Sequence, residues 1–330
     1  MVNKIYIKIA ITTFIMLSFI ISPSFVHADS TQAFNKWLLE FKQEASQRGI
    51  TKNTIDLGLI DVKPIPRIIE LDRKQPESTM SFNKYLTLIV SQRRVNLGKK
   101  LLNQNLPLLK EVSTQFGVQP RFIVSLWGIE TNYGKNTGGF SVLSALVTLA
   151  YDGRRSKYFR KELIYALKII DEGHITPNNM KGSWAGAMGQ SQFMPSSFMR
   201  FAYDFNGDGA KDIWNDKGDV FASAANYLSG VGWKSDITWG REVSLPQNFD
   251  FKLANIKIIK KMSVWRALGV TRADGSKLPL REINASIILP GKTGGPSYLI
   301  YDNYRALLRW NRSYYFATAV GILSDKISVN

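Results

Sequence analysis

The sequence predicts an α+β fold that is mainly α: a helical body carrying a small β-containing insert near residues 236–298. Three observations lead there. Apolar residues recur at helical spacing through most of residues 81–235. After Trp233 the pattern changes to short strand-like runs punctuated by Pro and Gly. From Tyr301 to Ile327 the chain turns aromatic and helical again.

Taken in order, the start reads as an export signal, residues 1–28. Lys4 and Lys8 supply its positive end, Ile9 to Ile21 is uncharged and mostly apolar, and Pro23 interrupts it. Val26-His27-Ala28 offers small residues where a signal peptidase reads, so cleavage is expected after Ala28. The apolar run is short for a membrane span of roughly 20 residues; an uncleaved anchor is the alternative. No stable membrane insertion is expected after cleavage. About 300 residues then remain, enough for one large domain or a few small ones.

Residues 29–80 read as an N-terminal segment of short amphipathic helices, broken at Lys63-Pro64-Ile65-Pro66. The body, 81–235, opens with one long helical pattern from Ser81 to Phe116, ended by Gly117. Pro120 starts the next helix, where a missing amide hydrogen costs nothing. That helix carries Phe122, Ile123, Val124, Leu126, Trp127 and Ile129, apolar nearly all round, and is therefore expected to be buried. Helices follow over 141–150 and 160–172, then a Gly-rich stretch over 182–192, a helix after Pro195, an Asp-, Asn- and Gly-rich loop over 204–219, and a helix over 221–228. In the insert, 241–245, 284–289 and 298–300 read as strands and 264–269 as a helix. Residues 299–330 return to the body.

Composition narrows the chemistry. The 330 residues contain no cysteine, which removes disulfides, thiolate catalysis and Cys-based metal sites, and with them a lipid-anchored start. The protein is thus expected to be exported or periplasmic and soluble. The net charge is +17, or +15 once the two signal lysines are gone. Such a balance suits an anionic cell-wall polymer or lipid surface. Nucleic acid is not expected as a partner outside the cytoplasm. Lysines merely solvated along the chain are the plain alternative. His27 leaves with the signal, so His174 is the one histidine of the mature chain. A His-rich zinc site cannot be built, and His174, beside Gly173, reads as a solvated helix-end residue. The chemistry falls to carboxylates, tyrosines, lysines or a hard metal ion.

Among the carboxylates Glu130 stands out. It lies at the end of the apolar helix, where lost hydration and the negative helix end both raise a carboxyl pKa. A carboxyl kept protonated near neutrality is what a general acid requires. A surface or capping Glu is the alternative at this point.

Trp127-Gly128-Ile129-Glu130-Thr131-Asn132-Tyr133-Gly134 resembles the catalytic signature of the membrane-bound lytic murein transglycosylase B family. The likeness continues through 151–159, is strongest through 181–197, and extends to 224–228 and 309–313, in fixed order over nearly the whole mature chain. The resemblance implies a lysozyme-like core with a glycan cleft. It implies cleavage of the β-1,4 bond between N-acetylmuramic acid and N-acetylglucosamine with formation of 1,6-anhydro ends. Glu130 would first act as acid and then as base, without a catalytic cofactor. Ser183 would orient Glu130. Gln192, Tyr227 and Asn311 would line sugar subsites, with Tyr85 a further match. Arg154 and Arg155 would meet anionic peptide stems or lactyl groups, unless they are an ordinary solvated pair. Trp184 and Trp310 would stack on sugars or sit in the core.

Asp204, Asn206, Asp208 and Gly209 match the start of a calcium loop, oxygen ligands at alternate positions and a glycine for the turn. Ala210 would add its carbonyl, and Asp212 falls at the ninth position. Asn215 stands where the closing Glu belongs; the resemblance implies a longer loop closed by Asp219. The expectation is a structural calcium ion, against an Asx-rich turn without metal. Glycan strands of peptidoglycan are the expected partner. The rival functions are a hydrolytic muramidase using the same Glu130 and a non-catalytic wall-binding protein.

Overall fold

The structure, a computed structural model, describes residues 24–74, 80–291 and 294–328. The charged and apolar parts of the export signal lie outside the described residues. Two compact units are distinguished, one ending at Glu44 and the other beginning at Ala45. Most of α1 (Ser24–Gln47) belongs to the first; it is a single 24-residue helix, longer than the short helices expected there. Phe34, Trp37 and Phe41 stack along it with centroid spacings of 6.0 and 5.6 Å.

The second unit opens with α2 (Lys52–Gly58) and α3 (Pro66–Arg73). Thr51 caps α2, and the Thr51 and Thr54 hydroxyls both donate to Asp171. Residues 45–74 belong to this second unit. The single long helix expected from Ser81 to Phe116 is instead three: α4 (Phe82–Ile89), α5 (Gln92–Gln104) and α6 (Leu106–Phe116). The apolar period runs through both breaks, but local chemistry interrupts the backbone. Ser91 accepts from the Arg94 amide and starts a new helix, and Pro107 stands at the first turn of α6.

At the centre lies α7 (Pro120–Thr131), buried from Phe122 to Gly128 and packed by α5, α6, α11 and α14. Around it are α8 (Val142–Tyr151), α9 (Ser156–Asp171), α10 (Pro195–Phe201), α11 (Lys217–Gly230), α13 (Asp302–Trp310) and α14 (Tyr314–Ile327). Two short strands, β1 (Phe140–Ser141) and β2 (Lys181–Gly182), pair antiparallel and anchor the Gly-rich stretch.

The expected insert is a five-stranded antiparallel sheet of β3 (Gly240–Ser244), β4 (Lys260–Lys261), β5 (Thr271–Arg272), β6 (Asn284–Ile288) and β7 (Ser297–Ile300), in the order β4-β6-β7-β3-β5. With α12 (Met262–Ala267) it has its own core, including Val243, Met262, Trp265, Ile287 and Leu299. Asn303 closes the insert onto the body: it accepts from the Lys234 amide and donates to the carbonyls of Lys234 and Ile237. That bond network fixes where α13 begins, one residue after Tyr301, whose amide donates to Trp239.

The end of α7 is shaped by a reversal. Asn132, Tyr133 and Gly134 all have positive φ, at 50°, 62° and 80°. The reversal folds the Tyr133 ring back against Gly128 of its own helix and Gly98 of α5, and the Tyr133 hydroxyl donates to the Arg94 carbonyl at 2.8 Å. A Cβ at Gly128 would lie 2.6 Å from the ring. Gly128→Ala is therefore expected to lower the unfolding free energy by about 1–3 kcal/mol, read as a lower urea midpoint. An unchanged midpoint would mean that the ring does not sit there.

Candidate active site

Glu130 lies in the last turn of α7, partly exposed, and lines a small void of about 10 Å³ with otherwise uncharged walls. The lining includes Ile123, Trp127, Gln190, Phe221 and Trp310, and Glu130 is its one carboxyl. Among the described residues its hydrogen bond comes from the Trp310 indole, which donates to Oε1 at 2.7 Å. Loss of hydration pushes the carboxyl up to about 7, against the opposing pull of that bond.

Trp310, the last residue of α13, is held from the far side. Its ring packs on Tyr227 at 4.8 Å and on Phe193 at 5.3 Å. The Tyr227 hydroxyl donates to the Arg309 carbonyl at 2.6 Å, so the two elements are tied beside the indole. Tyr227 is also packed on Phe201. The expected sugar-subsite residue is thus a buried wall behind Trp310, and sequence reading had not given Trp310 this bond.

Ser183 was expected to orient Glu130. Its hydroxyl instead accepts from the Ala187 amide at 3.1 Å, closing the Gly-rich turn. The serine lies where a tight reversal needs a local acceptor, and the indole takes the place at the carboxyl. Gln192 sits in the same turn with φ at 50° and donates from Nε2 to Thr137 and Gly189 carbonyls. Tyr85 and Asn311 are brought together, with Met80, Leu88, Ile89 and Tyr315, around a mainly apolar cavity of about 440 Å³.

Arg154 and Arg155, expected to reach for anionic stems, both bind Asp72: Arg154 Nε donates to it at 2.6 Å and Arg155 pairs with its other oxygen. Asp72 is buried, and burial pushes its carboxyl up, but the two guanidiniums outweigh that and hold it below the usual range. A buried carboxylate needs such partners, and the arginines supply them while their own side chains stay 49% and 40% exposed. His174 is not a solvated cap. It accepts from the Lys211 amide at 3.3 Å, packs on Phe198, and burial lowers its pKa.

Gln190 is the residue that sequence reading passed over. Its Oε1 accepts from Trp127 Nε1 at 2.7 Å, its Nε2 donates to the Trp214 carbonyl at 2.8 Å, and its amide donates to Ile213. The Thr131 hydroxyl donates to its carbonyl. One side chain thus joins the end of α7 to the acidic loop.

In that loop the Asp204 oxygens accept from the Gly207 and Gly209 amides, Asn206 Oδ1 from Asp208, and Asp208 Oδ1 from Ala210. Asp219 is buried and accepts from Phe205 and Asp212. Burial, with the negative charges of Asp216 and Asp204, pushes its carboxyl up despite those bonds. Among the described residues no cluster of three His, Cys, Asp or Glu side chains is set to hold a metal. The donor set is nonetheless all oxygen, and its crowded negative charge fits a hard cation.

Glu130 also sets a pH dependence of stability. Its folded-state pKa is raised, so folded protein holds the proton more tightly than unfolded, and stability from this group is lost as pH rises from about 4.5 through about 7. Glu130→Gln removes that loss. The variant should be more stable than the parent at pH 8 by about 3 kcal/mol and equal to it below pH 4.5. Parallel melts at the two pH values check this, and a pH-independent difference would contradict it.

Comparison with known proteins follows the same lines. The chain matches the transglycosylase SLT domain family over residues 33–325. It is 34% identical over 301 residues to membrane-bound lytic murein transglycosylase B of Escherichia coli K12, covering 86% of this chain and 80% of that protein. It is similar to SltB3 of Pseudomonas aeruginosa, solved with NAG-anhNAM-pentapeptide, at 42% identity and a TM-score of 0.87, covering 90% of this chain and 80% of that one. The Escherichia coli lytic transglycosylase Slt35, solved with calcium, matches at 28% identity and a TM-score of 0.75 over 88% of this chain and 92% of that one. These likenesses carry the lysozyme-like description of the body. An apolar helix ending in one protonatable carboxyl, the Gly-rich turn and the acidic loop thus occur together in a chain that belongs to the transglycosylase SLT domain family, among the lytic murein transglycosylases.

Proposed function

We propose that this lytic transglycosylase cleaves the bond between N-acetylmuramic acid and N-acetylglucosamine in peptidoglycan, with Glu130 as acid and then base. The observation that carries the reading is a single carboxyl in an uncharged space, titrating at about 7. Hydrolytic glycosidases usually use two carboxyls, the second as nucleophile or to activate water. Here the substrate supplies the nucleophile. Glu130 gives its proton to the glycosidic oxygen as the C1–O bond breaks. The muramoyl C6 hydroxyl then bonds to C1, and its proton returns to Glu130, leaving a 1,6-anhydro end. The relative SltB3, solved with both NAG-NAM-pentapeptide and NAG-anhNAM-pentapeptide, supports this substrate class. Tyr85 and Asn311, sharing their cavity, are assigned to sugar contact.

We further infer export, on the strength of the signal read over residues 1–28 of the sequence. No helix among the described residues is long and apolar enough to cross a membrane. For the acidic loop we infer a structural calcium ion, held by Asp204, Asn206, Asp208, the Ala210 carbonyl and Asp219. Bound there, a cation would offset the crowded carboxylates; the Glu130 chemistry needs none.

Digestion of sacculi and mass spectrometry of the products test the reaction. Anhydro ends are expected, with Glu130→Gln abolishing digestion while sacculus binding remains. Reducing ends alone would mean hydrolysis, and undiminished digestion by the variant would remove Glu130 from the chemistry. For the loop, calcium should raise the melting midpoint and a chelator reverse it, with Asp204→Ala insensitive to both. A midpoint indifferent to calcium would leave the loop an Asx-rich turn.

A further inference from the structure

We infer that Trp310 is a positioning residue that decides which oxygen of Glu130 carries the catalytic proton. An indole N–H donates and never accepts, so the oxygen it meets, Oε1, accepts in both protonation states, and in a protonated carboxyl the carbonyl oxygen is the stronger acceptor of the two. When Glu130 is protonated, Oε1 is the carbonyl oxygen and Oε2 holds the hydrogen. A hydroxyl or amide partner would leave the choice open, because each can donate or accept through one atom or another.

The indole is fixed well enough to enforce this. It ends α13, packs edge-on against Tyr227 and at a tilt against Phe193, and lies beside the Tyr227 bond to the Arg309 carbonyl. Among the described residues no charged side chain bonds to the carboxyl. On the helices packed against α7, Arg94 donates to the Ile89 carbonyl, Asp219 takes loop amides, and Asp325 accepts from Trp239 and Arg121. The remaining charged groups on those helices, Arg93, Lys99, Lys100, Lys110, Glu111, Lys217 and Lys326, are exposed.

The assignment rests on the reaction proposed above for its use. Oε2–H is then the bond that breaks when the glycosidic oxygen takes the proton, and Oε2 is the atom that receives the C6 hydroxyl proton afterwards. Oε1 stays bound to the indole throughout, so the carboxyl does not rotate between the two steps.

Two replacements of Trp310 in the full chain test this: Trp310→Phe, and 3-benzothienylalanine, which keeps the ring shape and replaces the N–H by sulfur. The first readout is the C=O stretch of protonated Glu130, taken as the infrared difference between each protein and its Glu130→Gln counterpart. Loss of the N–H should raise that frequency in both, since the donor sits on the carbonyl oxygen. The second is the titration point of Glu130, expected to rise by about one pH unit because a bond favouring the charged form is gone. The alkaline limb of sacculus digestion should move up with it, and kcat should fall about tenfold or more with KM little changed. An unchanged stretch and titration point in the benzothienyl protein would overturn the assignment, whatever the activity. Spectral changes without any loss of digestion by Glu130→Gln would leave the assignment standing and sink the proposed reaction instead.

Discussion

The carboxyl of Glu130 has lost much of its water and, among the described residues, has one hydrogen bond, from an indole 180 residues further along the chain. Holding that arrangement requires an apolar helix, because a neighbouring positive charge or a second donor would lower the pKa. It also requires that the last residue of α13 arrive at the end of α7 with little freedom. The five-stranded sheet serves that second need. Its last strand leads into α13, and Asn303 ties the start of that helix to residues 234–237, where the insert leaves the body. The insert thus bears on the site through the placement of one helix.

Much of this was legible in the sequence. Strands β3, β6 and β7 of the insert, the buried helix from Pro120 and the exceptional position of Glu130 all follow from period and composition, which act locally, whereas the two-residue β4 and β5 are too short to leave a period. The breaks at Val90–Ser91 and Asn105 were not legible from apolar spacing, since a capping serine and a proline can interrupt the backbone while the buried stripe runs on. The partners of Glu130, Arg154 and Arg155 were also hidden. Trp310 and Asp72 lie far from them in sequence, and nothing in a local pattern says that an indole will take a place expected of a serine. The acidic loop was legible in its spacing, but the crowding of Asp216 and Asp204 around buried Asp219 emerges only in three dimensions.

Gln190 gives the site a second kind of unity. A side-chain amide has a donor end and an acceptor end, and here each is used on a different element: Trp127 of α7 and Trp214 of the loop. With its own backbone bonded to Thr131 and Ile213, the residue cannot shift toward one element without straining the other. A loop distant in sequence from Glu130 is therefore within two hydrogen bonds of its helix. The Gly-rich stretch is needed to bring this glutamine so close. A Cβ on neighbouring Gly189 would stand 2.8 Å from Ile213 Cγ1.

The folded-back ring of Tyr133 limits how this part of the protein can vary. Gly98, Gly128 and Tyr133 lie on two helices and a reversal, yet they form one steric unit. A larger residue at either glycine meets the ring, and a smaller residue at position 133 leaves a gap that neither glycine can fill alone. Single changes at the three positions are all unfavourable, so an alternative packing is reached most readily by paired exchange. Sequences descended from this one should then keep the trio together or replace its members together.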